Sequence, residues 1–114
     1  MSNTQQVELN IEHARQGVKF GEALDRLMKN RDFQKVILDG FLREEAVRLV
    51  HLKADPAMYT PEDQRDIDAQ ITAIGMFGAW LRRQRKEAET AQKELLDNQD
   101  LLNVLREEEA EANQ

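Results

Sequence analysis

The sequence predicts an all-α protein in a three-helix arrangement, with a long, partly projecting third helix and a short C-terminal helix. Apolar residues recur every three or four positions, and no segment alternates as a half-buried strand would. The 114 residues include only five glycines and two prolines, while 33% of them are charged. This composition favours exposed or paired helices over a loop-rich or all-β domain, and the length suits one domain.

The first predicted helix covers residues 4–29. Its apolar stripe, at helical spacing, consists of Val7, Ile11, Ala14, Val18, Gly21, Leu24 and Met28. Gly17 and Gly21 lie four residues apart inside this helix, and each costs about 1 kcal/mol relative to alanine. Two interpretations stay open, because the glycines either admit the close approach of another backbone or belong to a tolerated, slightly bent helix.

The second predicted helix covers residues 32–53, with Asn30 or Asp32 as its N-cap. Its apolar residues form a broad face and a neighbouring stripe: Phe33, Val36, Ile37, Phe41, Val47 and Val50, and then Leu38, Leu42, Leu49 and Leu52. A helix that is apolar most of the way round is normally buried between neighbours. We therefore expect this helix to be the centre of the fold, and we expect oligomers if either face stays uncovered.

The third helix has the clearest start signal in the sequence. Thr60 suits the N-cap, Pro61 suits the first helical position, and the two acids after it favour the positive end of the helix dipole. From Pro61 the helical pattern continues to at least Leu96. Such a helix is about 54 Å long, whereas a compact domain of this size has a radius of gyration near 13 Å. Its far half is expected to project or to pack on another subunit.

The apolar stripe of the third helix weakens along the chain. It runs through Ile67, Ile71, Ile74, Gly78 and Leu81, continues at Ala88 and Leu95, and turns polar at Arg85 and Gln92. Residues 97–100 are expected to kink or end the helix, with Asp100 capping a last helical turn. Residues 1–106 are predicted to form a single helical domain, and residues 107–114 an acidic tail that frays.

Charge and composition exclude several classes of function. The net charge of −6 argues against a general nucleic-acid binder, since phosphate neutralisation requires the opposite sign. The chain has no cysteine, which removes disulfides and Cys-based metal sites. No apolar run approaches 18 residues, so no membrane insertion is expected. These features suggest a cytosolic protein, or one carried in a particle that is assembled there.

No pattern of a catalytic site occurs. The sequence has no His-Glu-x-x-His motif, no Gly-rich phosphate loop and no nucleophile elbow. Neither His13 nor His51 follows a glutamate at the three-residue spacing that helical di-metal sites use. We therefore predict a non-enzymatic protein without catalytic residues, cofactor or metal.

The strongest charge anomaly follows Trp80. Arg82, Arg83, Arg85 and Lys86 place four positive charges within five residues, and they suit an acidic protein surface or phosphates. The alternative is a solvated segment paired with nearby acids such as Glu87. Tryptophan and arginine are enriched together at interfaces. The candidate protein interface comprises Leu38, Leu42, Leu49, Leu52, Trp80, Leu81, Ala88 and Leu95.

Residues 22–56 carry a resemblance to a known group. They read Glu-Ala-Leu-Asp-Arg-Leu from Glu22, then Asp-Phe-Gln-Lys-Val-Ile-Leu-Asp-Gly-Phe-Leu, Glu-Glu-Ala-Val-Arg-Leu-Val and Ala-Asp-Pro. This stretch resembles small helical proteins of tailed bacteriophages that are encoded among head and portal genes. The resemblance covers about residues 10–85 and assigns no role to any residue.

The resemblance implies a non-enzymatic virion component or assembly factor. The expected partners are copies of the chain and a larger virion component, in the host cytoplasm during assembly and then in the virion. The alternative is a small regulatory protein that binds a host enzyme or polymerase. A third interpretation is a DNA-associated internal protein that uses the basic residues after Trp80.

Overall fold

The computed structural model describes residues 2–113, which are almost entirely helical and contain no strand. In chain order the elements are α1 (Asn3–Lys29), α2 (Arg31–Phe33), a π-helical segment (Gln34–Glu45), α3 (Ala46–Lys53), a 3₁₀ turn (Pro56–Met58) and α4 (Pro61–Ala112). The run from α2 to α3 is continuous and is called the second helix below. The all-α prediction, with three helices of which one is long, is confirmed.

Side-chain caps set the starts of the second helix and of α4. The Asn30 Oδ1 accepts a hydrogen bond from the Phe33 N–H at 2.9 Å, so Asn30 rather than Asp32 is the cap. The Thr60 Oγ1 accepts one from the Asp63 N–H at 3.1 Å, as predicted. Each of these bonds satisfies a donor that the first helical turn leaves unpaired.

The predicted C-terminal helix is not a separate element, because α4 continues through residues 97–100 to Ala112. Residues 97–100 include neither glycine nor proline, so nothing in their backbone forces a break. The Asn98 side-chain amide donates to the Glu94 carbonyl oxygen at 2.7 Å, inside the helix. The expected tail is therefore helical over residues 107–112, while its last residue, Gln114, lies outside the described residues, as does Met1 of the predicted domain.

Contacts divide the predicted single domain into two compact units. Unit 1 combines Met1–Leu24 with Gln84–Gln114, and unit 2 is Asp25–Arg83. Each unit has its own apolar cluster.

Unit 1 pairs α1 with the C-terminal part of α4 in opposite directions. The Thr4 Oγ1 donates to the Glu109 carboxylate at 2.6 Å, and Glu8 pairs with Arg106 at 3.6 Å. The core of this unit consists of Val7, Ile11 and Leu102, with Leu95 and Leu105 packed against it. The far part of α4 was expected to project or to bind another subunit. Instead it packs on α1 of its own chain.

The two glycines of α1 allow a close approach in unit 1. A Cβ atom at Gly17 would lie 2.6 Å from the Ala91 Cβ, and one at Gly21 would lie 2.5 Å from the Ala88 Cβ. Neither distance is possible between real side chains, so glycine is required at both positions. Of the two interpretations left open above, close backbone approach is confirmed.

The buried face of α4 shifts by one residue after Leu81, which explains the polar positions of the predicted stripe. Arg85 and Gln92 are exposed, whereas Gln84 is half-buried and Ala91 is buried. The next inward residue after Leu81 is Gln84, three residues on, whereas the prediction placed it at Arg85, four residues on. Such a change of spacing moves the contact face around a helix.

Unit 2 is built around Leu49, which is 0% exposed and packs with Ile67 and Ile74 of α4. The half-buried side chains around this core are Leu42, Ala46, Leu52, Met58 and Ile71. The second helix was expected to be buried on more than one side. That expectation is wrong, because Val36, Phe41, Val47 and Val50 are exposed. Its inward side consists of the leucine stripe together with Phe33 and Ile37 of the expected broad face.

The π-helical segment explains how the leucine stripe reaches the core. The half-buried apolar residues from Phe33, which directly precedes this segment, to Leu42 are Phe33, Ile37 with Leu38, and Leu42, and they recur after four or five residues. An α-helix would place residues nine apart, such as Phe33 and Leu42, on opposite sides. The wider i→i+5 turn brings them to one side.

Candidate protein interface

The structure places most of the predicted interface residues in internal packing positions. Leu49 and Leu81 are buried, and the half-buried members of the set are Leu38, Leu42, Leu52, Ala88 and Leu95. Leu42, Leu49 and Leu52 pack in the core of unit 2. In unit 1, Leu95 packs against the core and Ala88 faces Gly21. Trp80 differs, because it is 39% exposed on α4.

An open apolar groove lies between the second helix and α4 in unit 2, with a volume of about 420 Å³. Its lining residues are Val36, Gly40, Phe41, Glu45, Leu49, Gln70, Ala73 and Ile74. Leu49 and Ile74 belong to the core, so the groove opens directly onto it. Val36, at 61% exposure, stands at its edge.

Small residues give the groove its depth. Gly40 lies in the π-helical segment, where a Cβ atom would stand 3.2 Å from the Lys35 carbonyl oxygen. Among the three groove-lining residues of α4, Ala73 has the smallest side chain. Longer side chains at these two positions would occupy the space that is now open. Interruptions of the α-helical hydrogen-bond pattern are frequent at functional sites.

Three aromatic rings, here called the aromatic row, adjoin the groove. The ring centroids of Phe41 and Phe77 are 6.2 Å apart in an edge-to-face arrangement, with the rings inclined at 65°. The Phe77 and Trp80 rings are nearly parallel, with centroids 6.4 Å apart. Both arrangements fall within the range that favours aromatic pairs. Phe41 and Trp80 remain exposed, so the row presents ring surface to solvent.

Glu45 is the only ionisable side chain among the groove-lining residues. The Arg48 Nε donates to both of its carboxylate oxygens at 3.1 Å, and the guanidinium forms an ion pair with it. The hydrogen bond from Arg48 lowers the pKa of Glu45; desolvation opposes this shift, and the positive charge of Arg48 adds a smaller lowering. The groove therefore presents an apolar surface with one locally neutralised charge.

The basic segment lies outside the groove. Arg82, Arg83, Arg85 and Lys86 are all exposed. Arg82 stands nine residues, or two and a half helical turns, from Ala73 and so points to the opposite side of α4. Its Nη1 atom lies 3.4 Å from the position of a Cβ at Gly78. Arg83 and Glu87 each have a polar or electrostatic partner.

The described residues offer little else that resembles a ligand site. His13 and His51 are exposed, and residues 2–113 contain no cluster of three potential metal ligands. No described helix is long and apolar enough to cross a membrane. All buried side-chain polar atoms in this range have a hydrogen-bond partner.

Sequence reasoning missed the groove, although it identified part of its rim. Val36 and Phe41 were assigned to the broad face of the second helix, but Gly40, Ala73 and Phe77 were given no role. The available signal was the recurrence of inward residues every four or five positions, which indicates a π-helical turn.

Similarity to known proteins gives no information about the groove. No known protein family, curated protein or solved structure matches the chain.

Proposed function

We propose that this chain is a non-enzymatic structural or assembly protein that acts through helix-mediated contacts with other protein chains. The observation that carries the proposal is the groove with its adjoining aromatic row, an exposed apolar surface in unit 2. Monomeric proteins rarely expose large contiguous apolar patches, and such patches mark interaction sites.

The chemistry of this surface supports a protein partner. Aromatic side chains bury about 150–250 Å² each when covered, and they dominate interface energetics. Tryptophan is among the residues most often found at interface hot spots. Trp80, which is exposed here, is the side chain expected to contribute most to binding.

The setting we propose is the head, portal or tail region of a tailed-phage virion. It is supported by the resemblance of residues 10–85 to small phage proteins encoded among head and portal genes. The partners in that setting are copies of this chain and a larger virion component. The chain would act in the host cytoplasm during assembly and then in the particle.

Mass spectrometry of purified particles tests the proposal. The chain is expected among the virion proteins, and Trp80→Ala should reduce its incorporation. Tyr59→Ala is the matched control, because Tyr59 is also an exposed aromatic residue but lies outside the groove. Absence from particles, together with co-purification with a host enzyme or polymerase, would favour a regulatory protein instead.

The basic segment needs a separate test. Neutral replacements of Arg82, Arg83, Arg85 and Lys86 should leave the fold intact, because exposed charges on a helix contribute little to stability. Weaker incorporation of this variant into particles would indicate an acidic protein partner. Salt-sensitive DNA affinity that is lost in the variant would indicate nucleic acid.

A further inference from the structure

We infer that a second copy of this chain binds antiparallel to the outer side of α4 in unit 1, across a two-fold axis between Leu96 and Asp97. The contact surface is a row of four charged residues, here called the charged stripe: Lys86, Lys93, Asp100 and Glu107. It is separate from the groove in unit 2, so the inference goes beyond the proposed function and does not depend on it.

The charged stripe lies on the side of α4 that faces away from α1. Its members follow one another at intervals of seven residues, about two helical turns, and all four are exposed. Lys93 and Asp100 stand two residues from Ala91 and Leu102, which pack toward α1. Two residues correspond to about 200° around an α-helix. The packing of unit 1 therefore leaves the stripe uncovered.

The order of the charges on the stripe indicates a second copy as the partner. The sign changes once, at the midpoint, from two basic residues to two acidic residues. An antiparallel copy centred on that midpoint sets Lys86 opposite Glu107 and Lys93 opposite Asp100, and each pair occurs twice. Parallel copies in register would instead set like charges against each other. A two-fold interface requires such self-complementarity, and complementary charges fix its register.

The residues beside the stripe agree with this register. Arg85 lies opposite Glu108, which adds a pair of opposite charges that also occurs twice. Glu89 is the one acidic residue on the basic half of this side, and it lies opposite the uncharged Val104. No like charges are therefore set opposite each other on the two halves of the contact.

Neighbouring antiparallel registers are opposed by like charges. Sliding one copy by seven residues moves the axis to Lys93, which then faces itself while Glu89 faces Asp97. Sliding it the other way moves the axis to Asp100, which then faces itself while Glu89 faces Glu111. Because opposed like charges suppress wrong pairings, the pattern selects one register.

The centre of the contact combines an apolar residue with charged ones. Leu96 is 53% exposed and lies beside the axis, so its two copies meet. Asp97 meets its own copy on the other side of the axis, but a Lys93 from each chain stands about one helical turn away and offsets this repulsion. Within residues 2–113 no member of the charged stripe forms an ion pair, so these charges can pair across the axis.

Exchange of charges tests the inference. An acidic variant carries glutamate at the basic positions, and a basic variant carries lysine at the acidic positions: Arg85→Glu, Lys86→Glu and Lys93→Glu in the first, Asp100→Lys, Glu107→Lys and Glu108→Lys in the second. Two copies of either variant oppose like charges, so neither should self-associate in sedimentation at low salt. An equimolar mixture should form a heterodimer, because every pair then joins opposite charges. All six residues are exposed, so circular dichroism should show unchanged helix content.

A chain with all six substitutions keeps the net charge of the wild type and should self-associate again. Lys93→Glu alone should weaken self-association by roughly tenfold, since its contact occurs twice. Lys19→Glu is the matched control, because it makes the same charge change at an exposed position of α1 and should leave association unchanged. Exposed ion pairs are screened by salt, so the wild-type dimer should dissociate at about 0.5 M salt.

Single cysteines locate the axis, since the chain has none of its own. The two copies of Leu96 would be offset by about 1.5 Å along the helices, and the two copies of Leu101 by about 13.5 Å. A disulfide needs Cα atoms within about 7 Å. Mild oxidation should therefore cross-link Leu96→Cys and leave Leu101→Cys monomeric. Both leucines are exposed, so both variants are expected to fold.

Three results would overturn the inference. They are a wild type that is monomeric at every concentration at low salt, a folded pair of exchange variants that does not associate when mixed, and equal cross-linking of the two cysteine variants. Binding of the stripe to a different protein would give the first result. None of them affects the particle test of the proposed function. Conversely, a chain that dimerises as described but is absent from particles contradicts the virion setting and leaves the dimer standing.

Discussion

The two units pack their helices in different ways. In unit 1, Gly17 and Gly21 of α1 face Ala91 and Ala88 of α4 so closely that no Cβ atom fits at either glycine. In unit 2, the second helix and α4 are separated by larger side chains around Leu49. Small residues let helices approach until backbone and Cβ atoms touch, whereas large residues hold them apart.

The difference shows why the groove occurs in unit 2. Where large side chains set the distance between two helices, a small residue in the adjoining position leaves a gap. Gly40 and Ala73 are such residues, and the groove lies beside them. In unit 1, Ala88 and Ala91 of α4 occupy the space beside Gly21 and Gly17. Glycine therefore allows a close helix contact in unit 1, whereas Gly40 leaves an open groove in unit 2.

Leu49→Ala should cause the largest loss in the free energy of unfolding. Leu49 is 0% exposed at the centre of unit 2, and truncating a buried leucine costs about 2–5 kcal/mol. Leu102→Ala in unit 1 should cost less, because Leu102 is 9% exposed and the close contacts at Gly17 and Gly21 remain. Urea unfolding followed by circular dichroism measures both. Equal losses in the free energy of unfolding would mean that buried leucines contribute equally to the stability of both units.

Gly21→Ala should destabilise unit 1 by roughly 1–3 kcal/mol, the usual cost of overpacking. The new methyl group would stand 2.5 Å from the Ala88 Cβ and 3.6 Å from its Cα, so the helices must separate. The double variant Gly21→Ala with Ala88→Gly should recover most of the loss. A stable Gly21→Ala protein without that second change would contradict the close approach.

Gly75→Ala should have a smaller effect, of the opposite sign. A Cβ atom at Gly75 meets nothing within 4 Å, and alanine is favoured over glycine in a helix by about 0.5–1 kcal/mol. The protein should therefore become more stable in the same urea titration. Destabilisation would show that Gly75 is covered, for instance by another copy, in the folded protein.

Local signals in the sequence were sufficient to predict where the second helix and α4 begin. The caps Asn30 and Thr60 form hydrogen bonds with residues three positions away. Such caps can therefore be predicted from a few neighbouring residues. The pairing of Gly17 and Gly21 with alanines of α4 needed a further step. Their four-residue spacing indicated a close contact, but the partner lies some seventy positions along the chain.

Features that depend on tertiary packing were not predictable in the same way. The stripe of α4 changes step after Leu81, since this helix contributes to the separate cores of units 1 and 2. Residues 97–100 looked like a helix end because they are polar, yet the helix continues past them to bury Leu102. The groove needed Gly40 and Ala73 together, and these come from different helices.

Glu45→Gln should have the smallest effect, and one that depends on pH. The pKa of Glu45 is lowered in the folded state by its hydrogen bond from Arg48. Its contribution to stability is therefore present above the ordinary pKa of 4.5 and is lost as pH falls through the lower folded value. The wild type should be slightly more stable than Glu45→Gln at neutral pH and equal to it in acid. Thermal unfolding at several pH values measures the difference.

Glu44→Gln is the control for this test, because Glu44 is an exposed neighbour that does not line the groove. Glu45 and Arg48 are three residues apart on one helix, so their pair supports the second helix and does not join it to α4. In unit 1, the pair of Glu8 and Arg106 does join two helices. The Glu45 effect should therefore appear in unfolding and leave incorporation into particles unchanged. A Glu45→Gln protein with reduced incorporation but unaltered stability would show instead that this carboxylate contacts a partner chain.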